Sequence, residues 1–196
     1  MKLNPKNERI KRKYRIFLKE ADGKAGGTIE QIMKAIERYE DFAKRADLAT
    51  FDQRKAARFK QHLVDSKLAK ASILSITTAL KRFFGWLSHQ PGYKSRIAHN
   101  DIEYLNMADC DVRAAKAPAD RPVPSLEQVQ KAFEAMPDQT SIEMRDRAVF
   151  AILALTGVRD GALITLQLKH LDEQNERLLQ NPKEVKTKNA ARIDSY

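Results

Sequence analysis

Residues 155–172 read LTGVRDGALITLQLKHLD, and this stretch decides how the second half of the chain folds. Ala148, Val149, Phe150, Ile152, Leu153 and Leu155 run into it from a helix that Ser141 opens. Gly157 is placed to end that helix in a left-handed turn. Arg159 follows at once, at the start of a short helical piece, DGALITL. An arginine there offers a planar five-donor fork to a phosphate, beside backbone N–H groups. An arginine after a helix cap is more commonly a solvated surface cation, so the position alone does not define a site. From His170 onward the sequence HLDEQNERLLQNPKEVKTKNAARIDSY gives short extended pieces between polar turns. Leu178, Leu179, Val185 and Ile193 are sparse, which predicts a small β-hairpin sheet and an α+β character for this part.

Upstream lies DCDVRAAKAPADRPVP, residues 109–124, with three prolines and no apolar periodicity. It reads as an exposed linker over 109–121, followed by a second domain over 122–196 that Ser125 and Gln128 open with capping-box spacing. Before it, four helical stripes are visible. Ile29, Ile32, Met33, Ile36, Tyr39 and Phe42 form the first, after a capping signal at Thr28 and Gln31. Thr50 with Gln53 opens the second, carrying Phe51, Ala56, Phe59 and Leu63. The third starts near Ser72 and holds Ile73, Ile76, Leu80, Phe83, Phe84, Trp86 and Leu87; a short fourth carries Ile102, Leu105 and Met107. The aromatics fall at core spacing rather than on a base-stacking platform. The expected molecule is mainly α: a basic arm over 1–25, a small four-helix domain over 26–108, the linker, and the α+β part.

Charge separates the two halves. Residues 1–120 carry 25 basic and 15 acidic side chains, net +10, whereas residues 121–196 carry 11 of each. A basic module beside a neutral one points to a polyanion, double-stranded DNA first, as partner of the former. The candidate contacts are Lys11, Arg12 and Lys13 on the arm, Arg54, Lys55 and Arg58 on the second helix, and Lys81 and Arg82 on the third. A solvated basic surface is the plain alternative. The single cysteine, Cys110, excludes an internal disulfide, and four scattered histidines show no metal-ligand spacing. No glycine-rich phosphate loop and no Ser-His-Asp arrangement occur, so neither cofactor nor metal is expected. The charged amino terminus is not a secretory signal, and no apolar run reaches the ~20 residues of a membrane span. A cytoplasmic, nucleoid-associated protein fits these features.

Taken in order, Thr156, Gly157, Val158, Arg159, Leu163, Leu166 and Asp172 resemble the tyrosine recombinase (phage integrase) family. The likeness covers about residues 26–196 and includes the aromatic helix KRFFGWL and the proline-containing linker before VPSLEQVQKAF. It implies a core-type, SAM-like DNA-binding domain joined to the first part of a catalytic domain. In that family a tyrosine cleaves DNA, leaving a 3′-phosphotyrosyl link and a free 5′-hydroxyl, without ATP or metal. The resemblance makes Arg159 the residue that stabilises charge on the phosphoryl oxygens. It places a general-acid lysine on the hairpin within VKTKN: Lys186, with Lys188 as the alternative and as a DNA contact. It also implies self-association on DNA as a tetramer.

Two departures stand out. Where the family commonly has an acidic residue three positions after the arginine, this chain has Ala162, leaving Asp160 as a candidate partner. The family's His-x-x-Arg motif and nucleophilic tyrosine lie beyond the hairpin, and the sequence ends at Tyr196 without them, so the chain alone is not expected to cleave DNA. A non-catalytic DNA-binding or regulatory protein of the same layout, and a helical interaction module, are the competing expectations. Residues 141–155 are expected to expose apolar surface.

Overall fold

The computed structural model describes residues 3–118, 122–187 and 193–195. These are mainly helical, with nine α-helices and one three-stranded antiparallel sheet among them. The chain divides into two compact units, 1–119 and 120–196.

The first unit begins with a helix where a basic arm was expected. Helix α1, Pro5–Glu20, is capped by Asn4, whose side chain accepts from the Lys6 N–H, and has proline in its first turn. Ile10, Tyr14 and Leu18, one helical turn apart, are buried. This stripe, hidden among charges, anchors the segment: the packing of three side chains outweighs a polar composition. Helices α2 (Gly26–Phe42), α3 (Gln53–Asp65), α4 (Lys70–Leu87) and α5 (His99–Glu103) are the four the stripes predict. Two of their caps differ from expectation. α2 starts at Gly26 and Thr28 caps nothing, while Asp52 rather than Thr50 accepts from the Lys55 N–H at the start of α3. Thr50 instead closes a 3₁₀ turn, Leu48–Thr50.

A sixth helix, α6, Asp109–Lys116, occupies most of the segment expected to be linker. It buries no residue fully and leans on α4, where Lys70 meets Asp111 at 2.8 Å. Short amphipathic helices of this kind owe their form to the surface they lie on, which a proline count does not reveal.

The core of this unit is aromatic. Tyr39 meets Phe59 and Phe84 edge to face at 5.2 Å each, and Phe51 stacks on Phe84 at 3.8 Å. Tyr14 lies against Phe83 and Trp86. Burial pushes the Tyr14 phenol up to about 12, and its hydroxyl has no hydrogen-bond partner among the described residues. Beside the aromatics runs a buried polar staple. Asn7 donates to Glu40 and to the Ala46 carbonyl, both at 2.9 Å, and accepts from the Leu48 N–H. Lys11 bridges Glu40 and Glu8, each at 2.7 Å. Burial by itself lowers the Lys11 amine, but its bonds to and charge pairing with Glu40 and Glu8 outweigh that and raise it.

In the second unit, α7 (Leu126–Glu134) opens with the expected Ser125–Gln128 capping box. α8 (Ser141–Thr156) opens with another, Thr140–Glu143. Phe133 of α7 faces Phe150 of α8, and the Arg147 guanidinium lies 4.5 Å over the Phe133 ring. No residue of α8 is fully buried, so the expected apolar exposure is present; Leu155 alone is 80% exposed. One-turn helix α9 (Asp160–Leu163) leads through a 3₁₀ turn into β1 (Leu171–Asp172), β2 (Arg177–Gln180) and β3 (Ile193–Ser195), in the order β1-β2-β3. Leu171 pairs with Leu178, and Leu178 with Ser195.

Candidate functional site

The turn that carries Arg159 is built by Thr156 and Gly157. The Thr156 hydroxyl donates to the Ile152 carbonyl at 2.6 Å and accepts from the Val158 N–H at 3.3 Å. Gly157 takes φ +60°, the left-handed conformation that lets the chain leave α8. Val158 is thereby turned inward, buried at 6%, and Arg159 outward. Val158 belongs to a small cluster with Ala162, Leu178 and Val185. Val185 precedes Lys186, which is also exposed. The two predicted phosphate-handling cations therefore each follow a valine of one buried cluster, which has four members among the described residues.

A hydrogen bond tightens this arrangement. The Thr165 hydroxyl, at the end of α9, donates to the Ala162 carbonyl at 2.8 Å and accepts from the Lys186 backbone N–H at 2.9 Å. Neither Arg159 nor Lys186 has an ion-pair partner among the described residues, which leaves both cations open to an anion. Asp160 does not serve Arg159: its carboxylate accepts from the Gly161 N–H at 2.7 Å. Ala162 is buried at 2%, so a carboxylate at that position would enter the cluster. α9 is a single turn, and the backbone N–H groups expected beside Arg159 do not form a helix-end site. Lys188 lies outside the described residues.

In the first unit the predicted DNA contacts separate into three groups. Arg12, Lys13, Arg54 and Arg58 are exposed and make no ion pair or hydrogen bond through their side chains among the described residues. Lys11 is not a surface residue at all: it is 5% exposed and committed to Glu40 and Glu8. A buried ammonium holding a buried carboxylate cannot also meet a phosphate, so this assignment is corrected. Lys55 bonds the Thr50 carbonyl and lies 3.8 Å from Asp52. Lys81 pairs with Glu103 at 2.8 Å, and Arg82 with Asp22 at 2.6 Å. These three are surface pairs of small net worth, which a phosphate can displace.

The sequence reading passed over a groove of about 1270 Å³ between α2 and α4. Ser72, Ser75 and Thr78 line it along α4, and Lys34 and Arg38 along α2. Their three- and four-residue spacings put each set on one helix face. The same lining includes the carboxylates Glu37 and Asp41, so the groove carries both signs of charge.

Among the described residues no group of histidine, cysteine and carboxylate side chains could hold a metal ion. No helix among them is long and apolar enough to cross a membrane. No family model matches the chain, and no curated protein matches it.

Proposed function

We propose that this chain is the DNA-binding portion of a tyrosine-type site-specific recombinase. The first unit would be its SAM-like DNA-binding module, and the second would present two residues of the strand-transfer site. The observation that carries the reading is the shared cluster beneath Arg159 and Lys186. Residues distant in sequence set two cations, unpaired among the described residues, on one small core, in the order of the recombinase motif. Arg159 would place its guanidinium on the non-bridging oxygens of a scissile phosphodiester and stabilise the charge that builds there. Lys186 would deliver a proton to the departing 5′-oxygen. The charge asymmetry supports the same reading: the cations that bind the phosphate backbone are concentrated in the unit that holds the groove. Assembly of several protomers on DNA belongs to this proposal.

The test is fluorescence anisotropy of a labelled duplex over a salt series. A protein that neutralises several phosphates loses affinity with a log–log slope of roughly −0.9 per contact. A steep slope supports the reading; a folded sample that binds no duplex at low salt rules it out.

A further inference from the structure

His170 is the only buried histidine among the described residues, 4% exposed, and both ring nitrogens are engaged. Nδ1 accepts the Gln167 backbone N–H at 3.0 Å. A ring nitrogen that accepts does not carry the proton, so the neutral ring holds it on Nε2 and donates to Glu184 Oε2 at 2.8 Å. Lys169 approaches the same oxygen at 2.9 Å. The bond from His170, and then that from Lys169, holds the Glu184 carboxyl below its ordinary range.

Glu184 lies two residues before Lys186, in a segment between β2 and β3 that carries no strand pairing of its own over 181–187. The Glu184 and Val185 N–H groups turn back onto the Asn181 carbonyl at 3.0 and 2.7 Å. Four ties then fix the segment to the rest of the unit among the described residues: Glu184 to His170, Glu184 to Lys169, Val185 to the buried cluster, and the Lys186 N–H to Thr165. Only the first grips a side chain through a rigid ring whose orientation is set independently, by Gln167.

We propose that His170 is a positioning residue for Lys186: through Glu184 it holds the hairpin lysine against the turn that presents Arg159. The role rests on the reading of Arg159 and Lys186 as a phosphate-handling pair. It assigns the two ring nitrogens different duties. Nδ1 orients the ring; Nε2 holds the segment.

Side chains of different reach separate the two. His170→Gln brings an amide donor to the Nε2 position and keeps Glu184; His170→Asn brings an acceptor to the Nδ1 position and keeps Gln167 but cannot reach Glu184. Glu184→Ala and Glu184→Gln repeat the comparison from the more exposed partner, the first leaving the His170 Nε2–H without its acceptor and the second keeping one. Amide exchange at Val185 and Lys186 reads the segment. Acetylation of the Lys186 amine with and without duplex DNA, followed by mass spectrometry, reads its placement. H170N and E184A are expected to raise exchange at both amides about tenfold and to abolish duplex protection of Lys186. H170Q and E184Q are expected to stay within about twofold of wild type in both readouts, a rescue that general loosening would not produce. Equal exchange in H170N and H170Q, or no change in E184A, overturns the positioning role. If wild-type chain binds no duplex, the functional reading falls, and the exchange comparison still decides whether His170 fixes the segment.

Discussion

The two units solve the problem of burying a core in opposite ways. In the first, 21 buried apolar residues form one cluster dominated by stacked and edge-on aromatic rings. In the second, the corresponding cluster has four members among the described residues, Val158, Ala162, Leu178 and Val185, and its largest helix buries none of its side chains fully. Folding energy is thus concentrated in the first unit. In the second, turns, caps and single hydrogen bonds place the residues of interest. Consequently, a mutation in the first unit should be felt as lost stability, and one in the second as lost geometry.

The largest effect expected from this contrast follows from removing an aromatic. Phe84→Ala deletes the ring that Phe51 and Tyr39 both pack against, and should cost about 3–5 kcal/mol. Denaturant titration followed by Trp86 fluorescence would show the midpoint fall. A loss below about 1 kcal/mol would mean that the cluster does not dominate the unit.

Next comes the buried staple. Lys11→Met takes one of two cations from buried Glu40, which keeps the Arg45 guanidinium at 3.3 Å, and should cost about 1.5–3 kcal/mol, more than any exposed lysine of α1. The same pair gives a sign in pH. The raised Lys11 amine supplies stability that is fully present below the ordinary lysine value of about 10.4 and is lost as pH rises through its folded-state value. A Lys11→Met protein should lack that alkaline loss in its unfolding midpoint. Glu184 behaves oppositely: its depressed carboxyl contributes above its ordinary value of 4.5, and that contribution fades as pH falls through the folded-state value. The protection factor of the Lys186 amide, with the intrinsic pH dependence of exchange divided out, should therefore fall on acidification in wild type more than in Glu184→Gln.

A smaller effect belongs to the Arg159 turn. Gly157→Ala forces a Cβ into the left-handed conformation at φ +60° and should cost roughly 1–2 kcal/mol. The loss should be confined to amides of the second unit in hydrogen exchange. The smallest expected effect is a gain. Lys44 is exposed and sits at φ +54°, so Lys44→Gly should leave stability unchanged or raise it by about 0.5–1 kcal/mol. A clear destabilisation would show that the Lys44 side chain contributes a contact that its exposure conceals.

The difference between the units also explains what could be read from the sequence. Long apolar stripes made α2, α3 and α4 legible, because a period of three and four residues has no other explanation. The Ser125–Gln128 box and Gly157 were legible because each is a local device whose partners lie within a few residues. The inward turn of Val158 and the outward turn of Arg159 follow from that glycine. What escaped depends on partners far along the chain. The burial of Lys11 requires Glu40 of another helix, and the seating of α6 requires the surface of α4. The bond from His170 to Glu184 spans a hairpin whose register sparse strands do not encode. Asp52 displaced Thr50 as a cap because both residues fit the role and only the path of the preceding 3₁₀ turn decides between them.

Under the proposed function, DNA affinity resides in the first unit, and Arg159 and Lys186 act on the phosphate without adding much binding. Two variants of the full chain test it in the same anisotropy assay: one with Arg12, Lys13, Arg54 and Arg58 all replaced by alanine, the other with Arg159 and Lys186 replaced. The first should flatten the salt dependence by up to about 0.9 per lost phosphate contact. The second should leave the slope within about one contact of wild type. A wild-type slope retained by the first variant and lost by the second would contradict it.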